Sequence, residues 1–536
     1  MAVKEIATEI GHSIPPEGPH TITVHARGWD TGIALFRGEE SVVQKLKSIY
    51  PRIFPFGHAQ TLSIAVHQRL SFPPTHGCQV FTQPDIFSVA QEHAISDHRK
   101  EPKLVAGDLI FKVVDIAGVR LFCVGYPMAK TAGIIGVWRN FGTGASTRLS
   151  EHLLTQVDTL VEVPFDGDVS LEKIPTATHL PESAAHQAIR ERVVGLLNRA
   201  PLGPQSEAVA MDDVYLYPTG MAAIYGLHRA IMQVRKGPMV GLGAIFASTY
   251  HLFCDFPDGF KHFGACDAPS GVMDKLEAYL QVEAEAGRKV SYIFAEFPSN
   301  PILVSPDLKR LRHLAHQYDT IVVIDDTVSS FCNVDVLPVA DVIITSLTKS
   351  FSGYADVMGG SIILNPSSRH YPVLKKVYQE TFHNEYFAGD AEKLLSNSVD
   401  YFPPQHHSEP VLYPSVSDTA ANYAAVMRPP TTDFAPGYGC LLGVDFTTPA
   451  TARAFYDNLH VHQGPHLAAH RTIAFNYNDC VFGRDLEEAK YHAGYGLRKE
   501  QVRIAVGLEE VAELVKVFEE ALKFGVAAVK KGDINT

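Results

Sequence analysis

At 536 residues the chain is too long for a single hydrophobic core, and about two to four domains are expected. Its 46% hydrophobic and 20% charged residues are ordinary for a globular protein, and a net charge of -13 excludes a non-specific nucleic-acid binder, which needs a basic face. No run approaches a membrane-span length of about eighteen apolar residues, and the seven cysteines are widely spaced without a Cys-x-x-Cys pair, which excludes a disulfide frame or a cysteine zinc site.

Met1-Ala2-Val3-Lys4-Glu5-Ile6 lacks the apolar core of a signal peptide, and Asp533-Ile534-Asn535-Thr536 is no retention or peroxisomal address. A cytoplasmic location with reduced thiols is expected. The 25 histidines include His406-His407, but no His-x-x-x-His pair stands beside a carboxylate on a clear helix, so no metal site is expected.

Residues 1–165 read as mixed α/β. Residues 109–114 and 119–124 are strand-like, and Asp115-Ile116-Ala117-Gly118 between them predicts a hairpin. Gly142-Thr143-Gly144 lacks phosphate-loop spacing and reads as a turn. From 166 to 395 helical and strand signals alternate. Helices are expected over 189–197, 222–234 and 308–318, and strands over 290–295, 321–324 and 342–345. That alternation predicts a mainly parallel sheet covered by helices, with ligands bound beyond the carboxyl ends of its strands. Pro403-Pro404 and Pro429-Pro430 mark the entry to a smaller α+β domain over 396–536. It closes in an amphipathic helix from Glu510, with Val511, Leu514, Val515, Phe518 and Leu522 on one face.

Four features fall at strand ends of the expected sheet. Tyr217-Pro218-Thr219-Gly220-Met221 opens a helix with small residues, whose free N–H groups suit an anion or, more plainly, a capped helix. Glu296-Phe297-Pro298-Ser299-Asn300-Pro301 stiffens a loop around Asn300. Asp325-Asp326-Thr327 ends a buried strand with a carboxylate that needs a partner. Ser346-Leu347-Thr348-Lys349, followed by Gly359-Gly360, places a lysine among small and hydroxyl residues after an apolar strand. A desolvated lysine loses its proton readily and attacks aldehydes. An anion cradle, a carboxylate for a pyridinium, an orienting amide and an imine-forming amine together meet the needs of pyridoxal phosphate.

In these motifs and their order the sequence resembles the Cys/Met-metabolism group of fold-type I pyridoxal-phosphate enzymes over roughly residues 185 to 525. Residues 1–165 resemble the N-terminal extension of the longer, fungal-type cystathionine γ-synthases. Arg428-Pro429-Pro430, Gly437-Tyr438-Gly439 and Val502-Arg503-Ile504-Ala505-Val506-Gly507 match the C-terminal domain of that group.

The resemblance implies an α/β fold-type I architecture and an internal imine between the cofactor and Lys349, which also moves protons. Asp325, with Thr327 beside it, would pair with the pyridinium nitrogen. Thr219, Gly220, Met221, Ser346 and Thr348 would surround the phosphate. Asn300 would bond the ring hydroxyl, Phe246 would stack on the ring, and Arg503 would clamp the substrate carboxylate.

Three departures accompany it. Phe246 stands where the family carries a tyrosine, leaving Tyr250 or His251 as substitute proton carriers, and Tyr250 is expected near the substrate. Asp326 replaces a frequent asparagine. The family's cross-dimer tyrosine–arginine pair is not evident, and Arg190 and Arg192 are the candidates to reach the phosphate.

The implied reaction is γ-replacement on an O-acyl-L-homoserine, with O-acetyl-L-homoserine the expected substrate, through a vinylglycine-type imine, with cysteine or a β-keto acid as nucleophile. An eliminating lyase and a non-catalytic relative acting through residues 1–165 are the alternatives. A small amino acid is the expected partner, no nucleic acid or membrane is, and the resemblance implies a homodimer or homotetramer.

Overall fold

Three β-sheets organise the chain, each formed where apolar side chains can be buried on one or both faces. The computed structural model describes residues 5–96, 103–203, 207–266, 268–401 and 413–532. Pro403-Pro404 and His406-His407 lie outside these described residues.

The first sheet contains β1 (His76–Phe81), β2 (Ile110–Ile116), β3 (Val119–Pro127) and β4 (Val161–Val163) in the order β1-β3-β2-β4, antiparallel throughout. The expected hairpin is present, turning at Ala117 and Gly118, both with positive φ as a two-residue turn requires.

The second sheet has seven strands: β5 (Val214–Tyr217), β6 (Met239–Leu242), β7 (Phe260–Phe263), β8 (Tyr292–Glu296), β9 (Ile321–Asp325), β10 (Val342–Thr345) and β11 (Gly360–Leu364). Their order is β5-β11-β10-β9-β8-β6-β7, and only β11 runs antiparallel to its neighbours. Apart from Asp325 at the carboxyl end of β9, β8 to β10 are buried residue by residue, which is why they read as continuous apolar runs. The expected helices stand at Ala184–Leu197, Gly220–Val234 and Leu308–Gln317. β5, β6, β7 and β11 went unpredicted, because four- and five-residue strands give little periodicity.

The third sheet, β12 (Leu441–Asp445), β13 (His462–Gln463), β14 (Ile473–Phe475) and β15 (Gln501–Ala505), has the order β12-β15-β14-β13. The closing helix Val511–Gly532 is present, but its packed face differs from the expected one. Leu514, Phe518 and Ala521 join the core beneath it, whereas Val511, Val515 and Leu522 are 45%, 49% and 43% exposed. Ala521 and Gly525 let this helix approach the Pro449–Asp457 helix closely, and that contact rotates the flanking apolar residues outward.

The N-terminal segment threads between these units. Ile22 N–H donates to Ala355 O at 2.9 Å and Ala26 N–H to Gln463 O at 2.7 Å. Trp29, at the start of the Trp29–Arg37 helix, packs edge-on against Tyr456, and its indole donates to Asp479. Gly142 ends the Thr131–Phe141 helix with φ 72, as the expected turn. A Cβ there would lie 2.4 Å from Ala222 N, so this turn sits directly on the start of the Gly220–Val234 helix. G142V is expected to cost about 1 to 3 kcal/mol, through the positive φ and the displaced helix start. Denaturant unfolding checks it, and an unchanged midpoint would contradict the contact.

Candidate active site

The loops beyond the carboxyl ends of β8, β9 and β10 open into one cleft of about 1310 Å³, its mouth included. Gly220, Met221, Phe246, Asn300, Asp325, Thr327, Ser346, Lys349 and Arg503 line it, with Thr219 at its edge. Residues distant in the sequence meet here because parallel strands end together, and β15 of the third sheet adds Arg503.

Lys349 follows β10. Its amine is pushed from 10.5 down to about 7 by burial, with the charge of Arg503 adding to the effect. The ammonium lies 4.5 Å from the centre of the Tyr50 ring, and among the described residues no carboxylate pairs with it. At neutral pH much of this amine is unprotonated and nucleophilic. His466, edge-on to Tyr50, is held neutral by burial and by the nearby charges of Lys349 and Arg503, so it adds no further cation.

Arg503 projects from β15, 2% exposed. Its Nη1 donates to Asn300 Oδ1 at 3.3 Å, and its Nη2 to the carbonyls of Pro465 (2.7 Å) and His466 (3.2 Å). The guanidinium lies over Phe475 and Tyr477 and has no ion-pair partner among the described residues. Asn300 therefore orients Arg503, a contact its loop position did not suggest.

Asp325 and Glu296 end adjacent strands. Burial raises both carboxyls, and the charge of Asp325 raises Glu296 further. Glu296 accepts from the N–H groups of Phe246 and Asn300, and Asp325 accepts from Thr327 N–H at 3.0 Å. A protonated ring nitrogen against Asp325 would offset the cost of its buried charge. Asp326, where the family frequently has asparagine, does not line the cleft: it accepts from the Thr345 hydroxyl, and burial pushes its carboxyl up to about 7.

The phosphate cradle differs from expectation at two hydroxyls, those of Thr219 and Thr348. Thr219 caps its helix, accepting from Ala222 N–H and donating to Gly142 O, so its hydroxyl is already used. Thr348 exchanges hydrogen bonds with the backbone of Gly359 at 3.0 and 3.1 Å and does not line the cleft. Thr327 Oγ1 accepts from Ser346 N–H. The cradle is left to the helix start at Gly220 and Met221 together with Ser346, which line the cleft beside Thr219 and Thr327. A Cβ on Gly220 would lie 2.9 Å from Ser346 Cβ, so only glycine keeps this cradle open.

Two further sequence expectations are corrected. Tyr250 points away from the cleft into a ring cluster with Phe260, His262 and His492, whereas His251 lines the cleft. Arg190 is tied to Glu182, and neither Arg190 nor Arg192 lines the cleft.

The cation the sequence reading missed is Arg52. It lies in the cleft wall with Tyr50 and Ile53, 4% exposed, 4.3 Å over the Trp138 ring, and among the described residues its Nε and Nη2 have no hydrogen-bond partner. The signal was a guanidinium inside the apolar run Ile49-Tyr50-Pro51-Arg52-Ile53-Phe54, which can be buried only if something anionic meets it. These orphaned donors, the helix start and Ser346 fit a phosphate, and Asp325 and Lys349 fit a pyridine nitrogen and an aldehyde. Pyridoxal phosphate is therefore accommodated by the residues present.

Two outcomes are expected. R52Q weakens pyridoxal-phosphate binding by about 10- to 100-fold, the value of one or two charged hydrogen bonds, measured by titrating cofactor-free protein. Unchanged affinity would remove Arg52 from the cradle. Secondly, between about pH 7 and pH 10.5 the unfolded chain holds a proton at Lys349 that the folded chain has lost, so the stability of the cofactor-free protein rises with pH across that window. K349M abolishes that rise, and equal slopes for K349M and wild type in denaturant unfolding would contradict it.

Residues 207–381 match the family of Cys/Met metabolism PLP-dependent enzymes. The cystathionine gamma-synthase-like protein ankD of Aspergillus thermomutatus is 32% identical over 96% of this chain and 94% of its own length. Alanine racemase ungC of Aspergillus violaceofuscus is 35% identical, covering 75% of this chain and 73% of its own. Among solved structures, cystathionine gamma synthase from Xanthomonas oryzae pv. oryzae superposes with a TM-score of 0.52 at 18% identity, over 68% of this chain and 92% of that one, a likeness of fold. The cleft, the match and the relatives agree: the chain belongs to the Cys/Met metabolism family of pyridoxal-phosphate-dependent enzymes, with the fold-type I architecture.

Proposed function

We propose that the chain replaces the γ-acyloxy group of an O-acyl-L-homoserine, O-acetyl-L-homoserine in the first instance, with a carbon nucleophile such as a β-keto acid or its ester. The observation that carries this choice is the polarity of the cleft. Arg503 provides for one α-carboxylate. Beyond it Phe36, Ile53, Leu467 and Val481 form an apolar wall. The two lining carboxylates, Glu296 and Asp325, are both held by backbone N–H groups. Cysteine would bring a second ammonium, and the wall offers it no free carboxylate. A keto ester brings none.

Pyridoxal phosphate supplies an aldehyde for the substrate amino group and a ring that accepts electrons from Cα. The protein does the rest. Lys349 binds the aldehyde and, with its amine near neutrality, carries protons between Cα and Cβ. Asp325 keeps the ring nitrogen protonated, and Phe246 offers an aromatic face without a phenol. Arg52, Ser346 and the helix start at Gly220 hold the phosphate. Arg503, fixed by Asn300 and two carbonyls, clamps the carboxylate.

A second reading, racemisation at Cα, rests on the relative named an alanine racemase. Lys349 carries the Cα proton in both.

Mass analysis of O-acetyl-L-homoserine incubated with ethyl acetoacetate is expected to show a carbon–carbon adduct with acetate release. Efficient cystathionine formation from cysteine with no carbon adduct would contradict the proposal, and conversion of L-alanine to D-alanine alone would favour racemisation. R503K is expected to lower kcat/KM by about 10- to 100-fold through loss of the planar fork.

A further inference from the structure

One titratable side chain in the cleft wall, His251, has no part in the chemistry above. His251 stands on the Ala247–Cys254 helix, in the cleft wall that also carries Phe246. Its Nε2 lies 2.6 Å from Glu488 Oε1 on the Leu486–Ala493 helix. A carboxylate only accepts, so Nε2 carries the proton and Nδ1 is left with its lone pair. Among the described residues nothing bonds to Nδ1. Burial opposes the charge on Glu488, but hydrogen bonds from His251 and His492 more than offset it and hold the carboxyl down to about 2. A carboxylate fixed behind an imidazole sets its tautomer and stabilises the imidazolium that forms when the other nitrogen takes a proton.

Carbon nucleophiles need such a base. Lys349 is occupied with the Cα and Cβ protons of the amino-acid substrate, and a keto ester must lose a C–H proton before it can attack. We propose that His251, positioned by Glu488, is the base that deprotonates the incoming nucleophile. This rests on the γ-replacement reading and assigns the step that reading leaves without a residue. His251 Nδ1 takes the proton from the carbon between the two carbonyls. The electron pair released forms the new bond to Cγ of the substrate, from which the acyloxy group has left as a carboxylate. The proton then passes from His251 to solvent, so the net products are the C-alkylated amino acid and a carboxylic acid. Glu488 stays a carboxylate throughout and acts as a positioning residue.

The test is product partition. Enzyme with O-acetyl-L-homoserine and ethyl acetoacetate yields the carbon adduct when the nucleophile adds, and 2-oxobutyrate when it does not. A general base is worth about 100-fold or more, so H251Q is expected to lower the adduct-to-2-oxobutyrate ratio by at least that factor. E488Q moves the ratio the same way by less. In H251A, added imidazole restores the adduct, a rescue that a merely structural role would not show. An unchanged ratio in H251Q, or adduct and 2-oxobutyrate falling together without rescue, overturns the assignment. A wild type that releases 2-oxobutyrate but makes no adduct overturns the carbon-nucleophile reading and this assignment with it.

Discussion

Three of the cationic side chains that line the cleft, Lys349, Arg52 and Arg503, have no carboxylate partner among the described residues. Leaving a buried charge unpaired costs several kcal/mol per ion, even after relaxation. The protein lessens that cost in ways specific to each group. Lys349 gives up its proton near neutrality. Arg503 leans on two carbonyls and two aromatic rings. Arg52 lies over Trp138, whose indole is fixed on Pro51 O. The remaining imbalance suits a ligand with an aldehyde, a phosphate and an α-carboxylate at separate corners, which is what a family cofactor and its amino-acid substrate bring.

This arrangement draws the N-terminal segment into the site. Tyr50, Arg52 and Ile53 reach the cleft from a stretch whose earlier residues are clipped to Ala355 and to β13. Gly142 closes the other side, with its carbonyl taking the Thr219 hydroxyl and its missing side chain leaving room for the helix start. Residues far outside the stretch that matches the family thus shape the cofactor end of the cleft.

The chemistry legible in the sequence was local chemistry. Lys349, Asp325, Asn300 and Gly220 each sit at the end of an apolar run, so their strand-end positions followed from pattern alone. Hydroxyls were harder. Thr219, Thr327 and Thr348 have the right spacing, but each is bonded to backbone by a neighbour that only the folded chain supplies: Gly142, Ser346 and Gly359. Side-chain direction was also lost. Tyr250 and His251 are adjacent on one helix, and a rotation of about 100° per residue sends the first into a ring cluster and the second into the cleft. Arg52 was missed because its meaning depends on partners some 300 residues away, while its own neighbourhood looks like ordinary core. The closing helix shows the same limit: its apolar stripe was visible, but which edge of the stripe packs was set by Ala521 and Gly525.

Peptide mapping after borohydride reduction of the cofactor-loaded protein tests the central claim most directly. The account predicts a pyridoxyl group on the peptide containing Lys349 and on no other lysine peptide. A label on a different lysine, with Lys349 unmodified, would contradict it.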